Sequence, residues 1–279
     1  MAYILLVISC IGIGMKSVFA KKSNSYLTET HNIYTYNFYA FSIAFLISLV
    51  LSLKSFGAVS VYTAVMATFY GIFLSSAQMS LTKAMNLGEV SISTLFYCCG
   101  FLVPMFVSIF VYDESVSFAQ ATGIILIIIS FAVTVEKGRK GTFKWFVFIM
   151  MAFLFNGGLG VIQKVYGMAD YRDEQSAFMV ISFLAGAVMT FLVMPKKALL
   201  PSKGFLKTAL GSGASLAVVN TININISGVL PGVIFFPAAN GGGIIMSAVL
   251  ALIILGEKLP KKKIWGIVIG VVAICLIAL

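Results

Sequence analysis

The sequence predicts an all-α polytopic membrane protein with ten transmembrane helices, arranged as two inverted five-helix repeats. Three observations carry that expectation. First, the 279 residues are 60% hydrophobic and only 10% charged, with a mean hydropathy of +1.05, so there are too few charges to cover a soluble globule. Second, apolar runs of about 20 residues, enough to cross a hydrocarbon core, recur between short charged or turn-rich breaks. Third, the chain reads twice at a constant offset of 143 residues with no gap.

That register sets Gly14 on Gly157, Val18 on Val161, Lys21 on Lys164, and Leu49-Val50 on Leu192-Val193. It continues with Lys54 on Lys197, Leu87 on Leu230, Val90 on Val233, Gly100 on Gly243, Glu114 on Glu257 and Gly123 on Gly266. The chain therefore divides into a first unit at 1–136, a basic linker at 137–143 and a second unit at 144–279.

Each span follows from its run and its boundary. The first, 2–20, lacks the basic start of a secretory leader, reads as a retained helix, and stops at Lys21-Lys22-Ser23-Asn24-Ser25. The second, 33–53, stops at Lys54, and the third covers 58–82. The fourth, 91–112, ends at Asp113-Glu114, and the fifth, 117–135, runs into Gly138-Arg139-Lys140-Gly141. In the second unit, 145–164 precedes the polar stretch from Asp170 to Glu174, and 176–194 stops at Pro195-Lys196-Lys197. The run 205–226 carries Asn220, Asn223 and Asn225, and its register with the third span supports it. The last two are 230–255 and 262–279, separated by Lys261-Lys262-Lys263.

Five spans per unit is odd, so the two units must cross the membrane in opposite senses. Of the 19 Lys and Arg residues, fifteen fall in loops after the odd-numbered spans. Lys54, Lys164 and Arg172 lie on the other side, and Lys16 sits inside the first span. The positive-inside rule then puts the fifteen in the cytoplasm and both termini outside, in a plasma (inner) membrane. The net charge of +10 thus reads as an orientation signal, not as a nucleic-acid footprint. Cys10, Cys98, Cys99 and Cys275 all lie in apolar runs and read as small hydrophobes.

With the repeat laid out, the chain resembles the drug/metabolite transporter superfamily, in its ten-span branch of two EamA-like units. The resemblance rests mainly on the end of each repeat, where an apolar helix meets an acidic corner and then a Gly-containing helix. These read Val111-Tyr112-Asp113-Glu114-Ser115-Val116 through Gly123, and Leu255-Gly256-Glu257-Lys258-Leu259 through Gly266. The second copy matches the family's Gly-Glu-x-Leu corner, whereas the first has Asp113 in place of the glycine. Gly14 to Lys21 and Gly157 to Lys164 resemble its Gly-x6-Lys ending, with Ile13 and Asn156 where a Trp often stands. The resemblance implies a carrier fold with spans 1, 3, 4, 6, 8 and 9 around a cavity. It does not name a substrate.

In inverted-repeat carriers the substrate site lies near the midplane, where matching helices are interrupted. The ninth span holds Pro231, Pro237 and Asn240-Gly241-Gly242-Gly243, and the fourth holds Tyr97-Cys98-Cys99-Gly100. Tyr97 and Asn240 are therefore expected as facing contacts, with Gly100, Gly241, Gly242, Gly243 and Pro237 breaking their helices. Close packing through small residues is the alternative. Lys16, Ser75, Gln78, Asn156, Gln163 and Asn220, with Ser9, Ser76, Ser215 and Asn223, lie on the spans that the family uses to line its cavity. Lys16 would pair with a carboxylate or phosphate, or else snorkel toward Lys21 and Lys22. Glu114 and Glu257 are expected to cap helices or lock the corners, and Lys21 and Lys164 to anchor helix ends. His31 reads as an interfacial residue.

No Asp or Glu lies within a predicted span, which disfavours permanent cations and favours neutral, zwitterionic or anionic substrates. There is no paired-carboxylate site, nucleophilic triad, phosphate loop or metal-spaced cluster, so the expectation is no enzyme, cofactor or metal. The expected function is secondary transport, by alternating access, of a small polar metabolite, amino acids and related compounds first. A proton or ion would couple any uphill transport. A multidrug exporter, a lipid-headgroup flippase and a non-transporting membrane partner are the alternatives.

Overall fold

Apolar runs without internal charge can satisfy their backbone in lipid only as helices, because no water is there to do it. The computed structural model describes residues 1–23, 26, 30–53, 57, 59–88, 90–133, 142–194, 202–256 and 260–279. Among the described residues the regular elements are all helical. In the first half they are α1 (Ala2–Ser23), α2 (Thr30–Ser52), α3 (Val61–Leu87), α4 (Val90–Cys99), α5 (Leu102–Val111) and α6 (Phe118–Val133). In the second they are α7 (Phe143–Met168), α8 (Gln175–Val193), α9 (Lys203–Ser227), α10 (Gly232–Leu255) and α11 (Lys261–Ile277), with a short 3-10 turn at Arg172–Glu174. Helix occupies every apolar run read from the sequence, with the fourth in two pieces. Among the described residues, seven helical stretches are long and apolar enough to cross a membrane: Ala2–Ser23, Ile33–Ser52, Val61–Leu87, Ile92–Val111, Phe143–Met168, Gln175–Val193 and Gly232–Leu255. Large apolar side chains face outward around the bundle, among them Phe110, Phe118, Leu51 and Phe143. That outer surface suits lipid, not water.

Local chemistry sets the ends. Ser60, Thr142 and Ser202 each cap a helix, accepting from the N–H groups of Thr63, Trp145 and Phe205. Gly256 ends α10 with φ +65°, a left-handed conformation that glycine adopts without strain.

The packing pairs the halves crosswise. α1 lies against α9 and α10, while α7, at the equivalent place in the second half, lies against α3 and α4–α5. α2 packs on α8, and α6 on α11. Directions follow from the contacts. Phe38 meets Phe191 while a Cβ on Gly186 would meet Phe41, so α2 and α8 run antiparallel. Ser130 donates to the Gly266 carbonyl while Gly123 lies on Ala273 and Ile277, so α6 and α11 do too.

The break falls where the sequence reading was weaker. α10 runs unbroken through Pro237 and its three glycines, whereas the fourth run parts between Cys99 and Leu102. Tertiary packing is the reason. A Cβ on Gly241, Gly242 or Gly243 would sit 2.8, 2.7 or 2.8 Å from Ile127, Cys10 or Ile13. These glycines let α6 and α1 close onto α10, and the burial this allows outweighs their poor helix propensity. At Gly100 the N–H turns back to the Tyr97 carbonyl at 3.1 Å, and Pro104 begins the next turn, where its missing N–H costs nothing.

The same argument gives a test. A Cβ on Gly71 would fall 2.1 Å from the Ser182 carbonyl oxygen of α8, whereas on Gly158 it would lie 3.5 Å from the nearest atom, on Phe73. Gly71→Ala should destabilise by about 1–3 kcal/mol, the usual cost of overpacking, with a lower unfolding temperature in detergent. Gly158→Ala should be close to neutral, and equal losses in the two variants would contradict this packing.

Candidate functional site: a polar cavity opposite a clasped end

Two charges join the halves at one end of the bundle. Lys164, near the C-terminal end of α7, places its Nζ 2.8 Å from Glu114 Oε1 in the corner between α5 and α6. Their side chains are 3% and 16% exposed. Glu114 Oε2 accepts the Val233 N–H at 3.1 Å, and Lys164 donates to the Leu230 carbonyl at 3.4 Å. The carboxylate thus caps the start of α10, where the helix dipole favours it. The expectation of a capping role for Glu114 agrees with this geometry, although the helix it caps belongs to the other half. Lys164 is not the interfacial anchor expected of it. α7 continues to Met168, so the ammonium is buried and ion-paired. Burial acts to raise the Glu114 carboxyl, but hydrogen bonds from Gly232, Lys164 and Val233 outweigh it and hold the group below its ordinary value of 4.5. Glu257, its repeat equivalent, lies outside the described residues.

More contacts close the same end. Glu174, before α8, accepts from the Ser60 N–H and hydroxyl at 2.9 and 2.8 Å, and Ser60 caps α3 in the other half. The Tyr166 hydroxyl lies 3.1 Å from Thr63 Oγ1. Tyr62 stacks on Tyr171 and Tyr166 with centroids 4.8 and 6.2 Å apart. Ser227 donates to the Gln163 carbonyl at 3.0 Å.

Toward the opposite end lies a cavity of about 260 Å³ between α1, α2, α3 and α9. Lys16, Ser23, Tyr36, Asn37, Gln78, Thr82 and Ser212 give it polar walls, with Ile33, Ala40, Phe41, Met85 and Leu216 between them. Tyr36 is held by a 3.1 Å bond to the Thr208 carbonyl. Lys16 and Asn37 make no ion pair or hydrogen bond with another described residue, and no carboxylate lines the cavity among them. A second, larger cavity of about 370 Å³ is mostly apolar and lies between α1, α4, α6, α10 and α11, with Lys21 and Lys263 in its wall.

Of the sequence candidates, Lys16 and Gln78 meet in the polar cavity. Gln78 also reaches the Tyr97 hydroxyl at 3.4 Å, and Asn156 donates to the Tyr97 carbonyl at 2.9 Å, so three candidates converge at the break before Gly100. Asn240 donates to the Phe236 carbonyl of its own helix at 3.0 Å, and no hydrogen bond joins it to Tyr97 among the described residues. Asn220 accepts from Tyr70 at 2.7 Å, and Ser9 bonds Asn223, both as links between helices. Ser75 turns back on the carbonyls of Gly71 and Ile72. Gln163 is buried at the clasped end, with its Nε2 unpartnered among the described residues. Gly241 lines the apolar cavity, and the side chain of His31 lies outside the described residues.

Sequence reasoning missed α2 as a wall of the cavity, and with it Tyr36 and Asn37. The signal was present, since Asn37 is an amide within an apolar run that begins near its polar end.

No protein-family profile matches the sequence, and no curated protein does. A solved protein crystal structure superposes with a TM-score of 0.73, covering 98% of this chain and 95% of its own at 14% identity. At that identity the likeness speaks for the fold alone.

Breaking the clasp should be costly. Glu114→Gln leaves the buried Lys164 ammonium without its counter-ion, and the unfolding midpoint should fall by the equivalent of about 3 kcal/mol. Adding Lys164→Met should restore part of the loss. The depressed Glu114 pKa adds stability that is full above 4.5 and lost as pH falls through the folded value. Wild-type thermal stability should therefore decline on acidification below about pH 5, and Glu114→Gln should flatten that part of the profile.

Proposed function

We propose that this chain is a secondary carrier of a small polar metabolite, working by alternating access between two inverted five-span units. The observation that carries the reading is the polar cavity beside α1, at the end opposite the clasp, with an ammonium and an amide in its walls that have no partner among the described residues. A membrane bundle with no ligand to hold would place apolar side chains there, because an unpartnered polar group among helices costs several kcal/mol.

The packing supports the inverted arrangement. Helices equivalent by the repeat, α2 with α8 and α6 with α11, cross each other antiparallel, as a twofold axis in the membrane plane requires. One end is held by ion pair, caps and stacked rings that link the halves, while the cavity lies toward the other, an arrangement suited to one of two alternating states. By the positive-inside count, the cavity end faces the cytoplasm and the clasped end faces out. The ten-span count, the drug/metabolite-transporter relationship, the plasma-membrane location and a coupling ion belong to this proposal.

The test is thermal stability of the purified protein in detergent against amino acids, sugars, organic phosphates, lysophospholipids and lipophilic cations. Ligand that binds the folded state raises its midpoint in proportion to occupancy. Stabilisation by a polar class, lost in Gln78→Ala or Asn37→Ala, is the expected result. Stabilisation by tetraphenylphosphonium alone would replace the reading with multidrug export, and by lysophospholipid alone with lipid translocation.

A further inference from the structure

We infer that the polar cavity is an anion site, and that its ligand is a compact organic monoanion whose charge is neutralised by Lys16. The inference rests on the carrier reading above and narrows it to a substrate class.

The charge census comes first. The described walls hold one ammonium and several amides and hydroxyls, from Asn37, Gln78, Thr82, Ser23 and Ser212, but no carboxylate. An isolated ammonium in a membrane interior is costly, and an opposite charge beside it removes most of that cost. One monoanion leaves the cavity neutral. A phosphate monoester with nearly two charges would leave one uncompensated, and among the described residues no Arg lines the cavity to clamp it. A zwitterionic amino acid would carry its own ammonium beside Lys16 and leave the net charge of the site unchanged. Amino acids, first among the sequence-level candidates, therefore fit less well than simple hydroxy or keto acids.

Geometry and size agree. Lys16 projects from α1, Asn37 from α2, and Gln78 and Thr82 from α3. A carboxylate can meet the ammonium on one wall while its hydroxyl or carbonyl meets the amides on the others. A volume of about 260 Å³ holds roughly nine water-sized groups at about 30 Å³ each, the scale of a short organic acid.

The repeat shows that this cation is not required by the fold. The position equivalent to Lys16 is Leu159, buried in the aromatic-rich packing of α3 and α7. Only one half carries the ammonium, so the two units differ here in chemistry while matching in architecture.

The alternative is that Lys16 snorkels toward Lys21 and Lys22 and gives the cavity no charge. The test is Asn37→Cys in the full chain, treated in detergent with sulfonatoethyl or trimethylammonioethyl methanethiosulfonate. Mass spectrometry of the peptide carrying position 37 separates its modification from the four native cysteines, and Leu279→Cys at the exposed C-terminus normalises reagent reactivity. The anionic reagent should react faster than the cationic one by at least about tenfold, because one unit charge a few ångströms away favours one reagent and opposes the other even at the dielectric of bulk water. Lys16→Gln should abolish the preference and Lys16→Arg keep it. Equal reactivity with Lys16 present, or a preference that survives Lys16→Gln, would overturn the inference.

A second measurement separates the ligand classes. Lactate, lactamide and alanine are of similar size and differ in charge. A rise in unfolding temperature with lactate, absent in Lys16→Gln, is expected, and a rise with alanine or lactamide alone would contradict the monoanion assignment. An intact reagent preference in a protein that no compound of the broader panel stabilises would sink the carrier reading, while the anion-attracting character of the cavity would stand.

Discussion

A buried charge among apolar helices is costly unless it is paired, and the organisation of this bundle follows from how it meets that constraint. Lys164 and Glu114 come from different halves, and each would be strongly destabilising without the other. Paired, they tie the α5–α6 corner to α7, and the second carboxylate oxygen holds the start of α10. Four helices and both halves are thereby fixed at one end by two side chains. Glu174 does the same work between α8 and α3 through Ser60. Lys16 has no such partner among the described residues and lines the polar cavity instead.

Between the charged ends the bundle is held by close approach. In lipid the helices gain nothing from hiding apolar surface, so contact area and small residues decide how they associate. Gly71 against the α8 backbone, Gly213 against the Ala40 carbonyl, and Gly241 to Gly243 against α1 and α6 illustrate one solution used in several seams. Hydrogen bonds across helices then set register, with Tyr70 on Asn220 and Tyr36 on the Thr208 carbonyl. A glycine-rich stretch in such a sequence is therefore ambiguous. It weakens a helix when isolated, yet it can be what lets that helix stay whole in a bundle.

That ambiguity explains where the sequence was legible and where it was not. Helix positions were readable because hydropathy and charged breaks act locally, and run boundaries such as those of α8 and α10 lie within a few residues of the observed ones. Lys16 and Gln78 were readable as cavity candidates because a polar side chain in an apolar run has few other reasons to be there. The pairing of Tyr97 with Asn240 was inferred from repeat register and from the glycine and proline interruptions beside them, and neither can say which way a side chain turns. Asn240 had a closer acceptor, the carbonyl one turn back on its own helix. Lys164 was misread because its distance from the end of α7 depended on how far that helix continued.

By itself, the sequence determined the helical class, the positions of the helices and the supply of charges. Hydropathy and periodicity are properties of neighbours in the chain, and they survive without knowledge of the fold. Only the tertiary structure decided which helix breaks, which charges meet and which polar groups share a cavity. Gly100 parts its helix while Gly243 does not, and Lys164 finds Glu114 while Lys16 finds the cavity. These outcomes depend on atoms brought together from distant segments, where a few tenths of an ångström or one opposite charge reverses the balance.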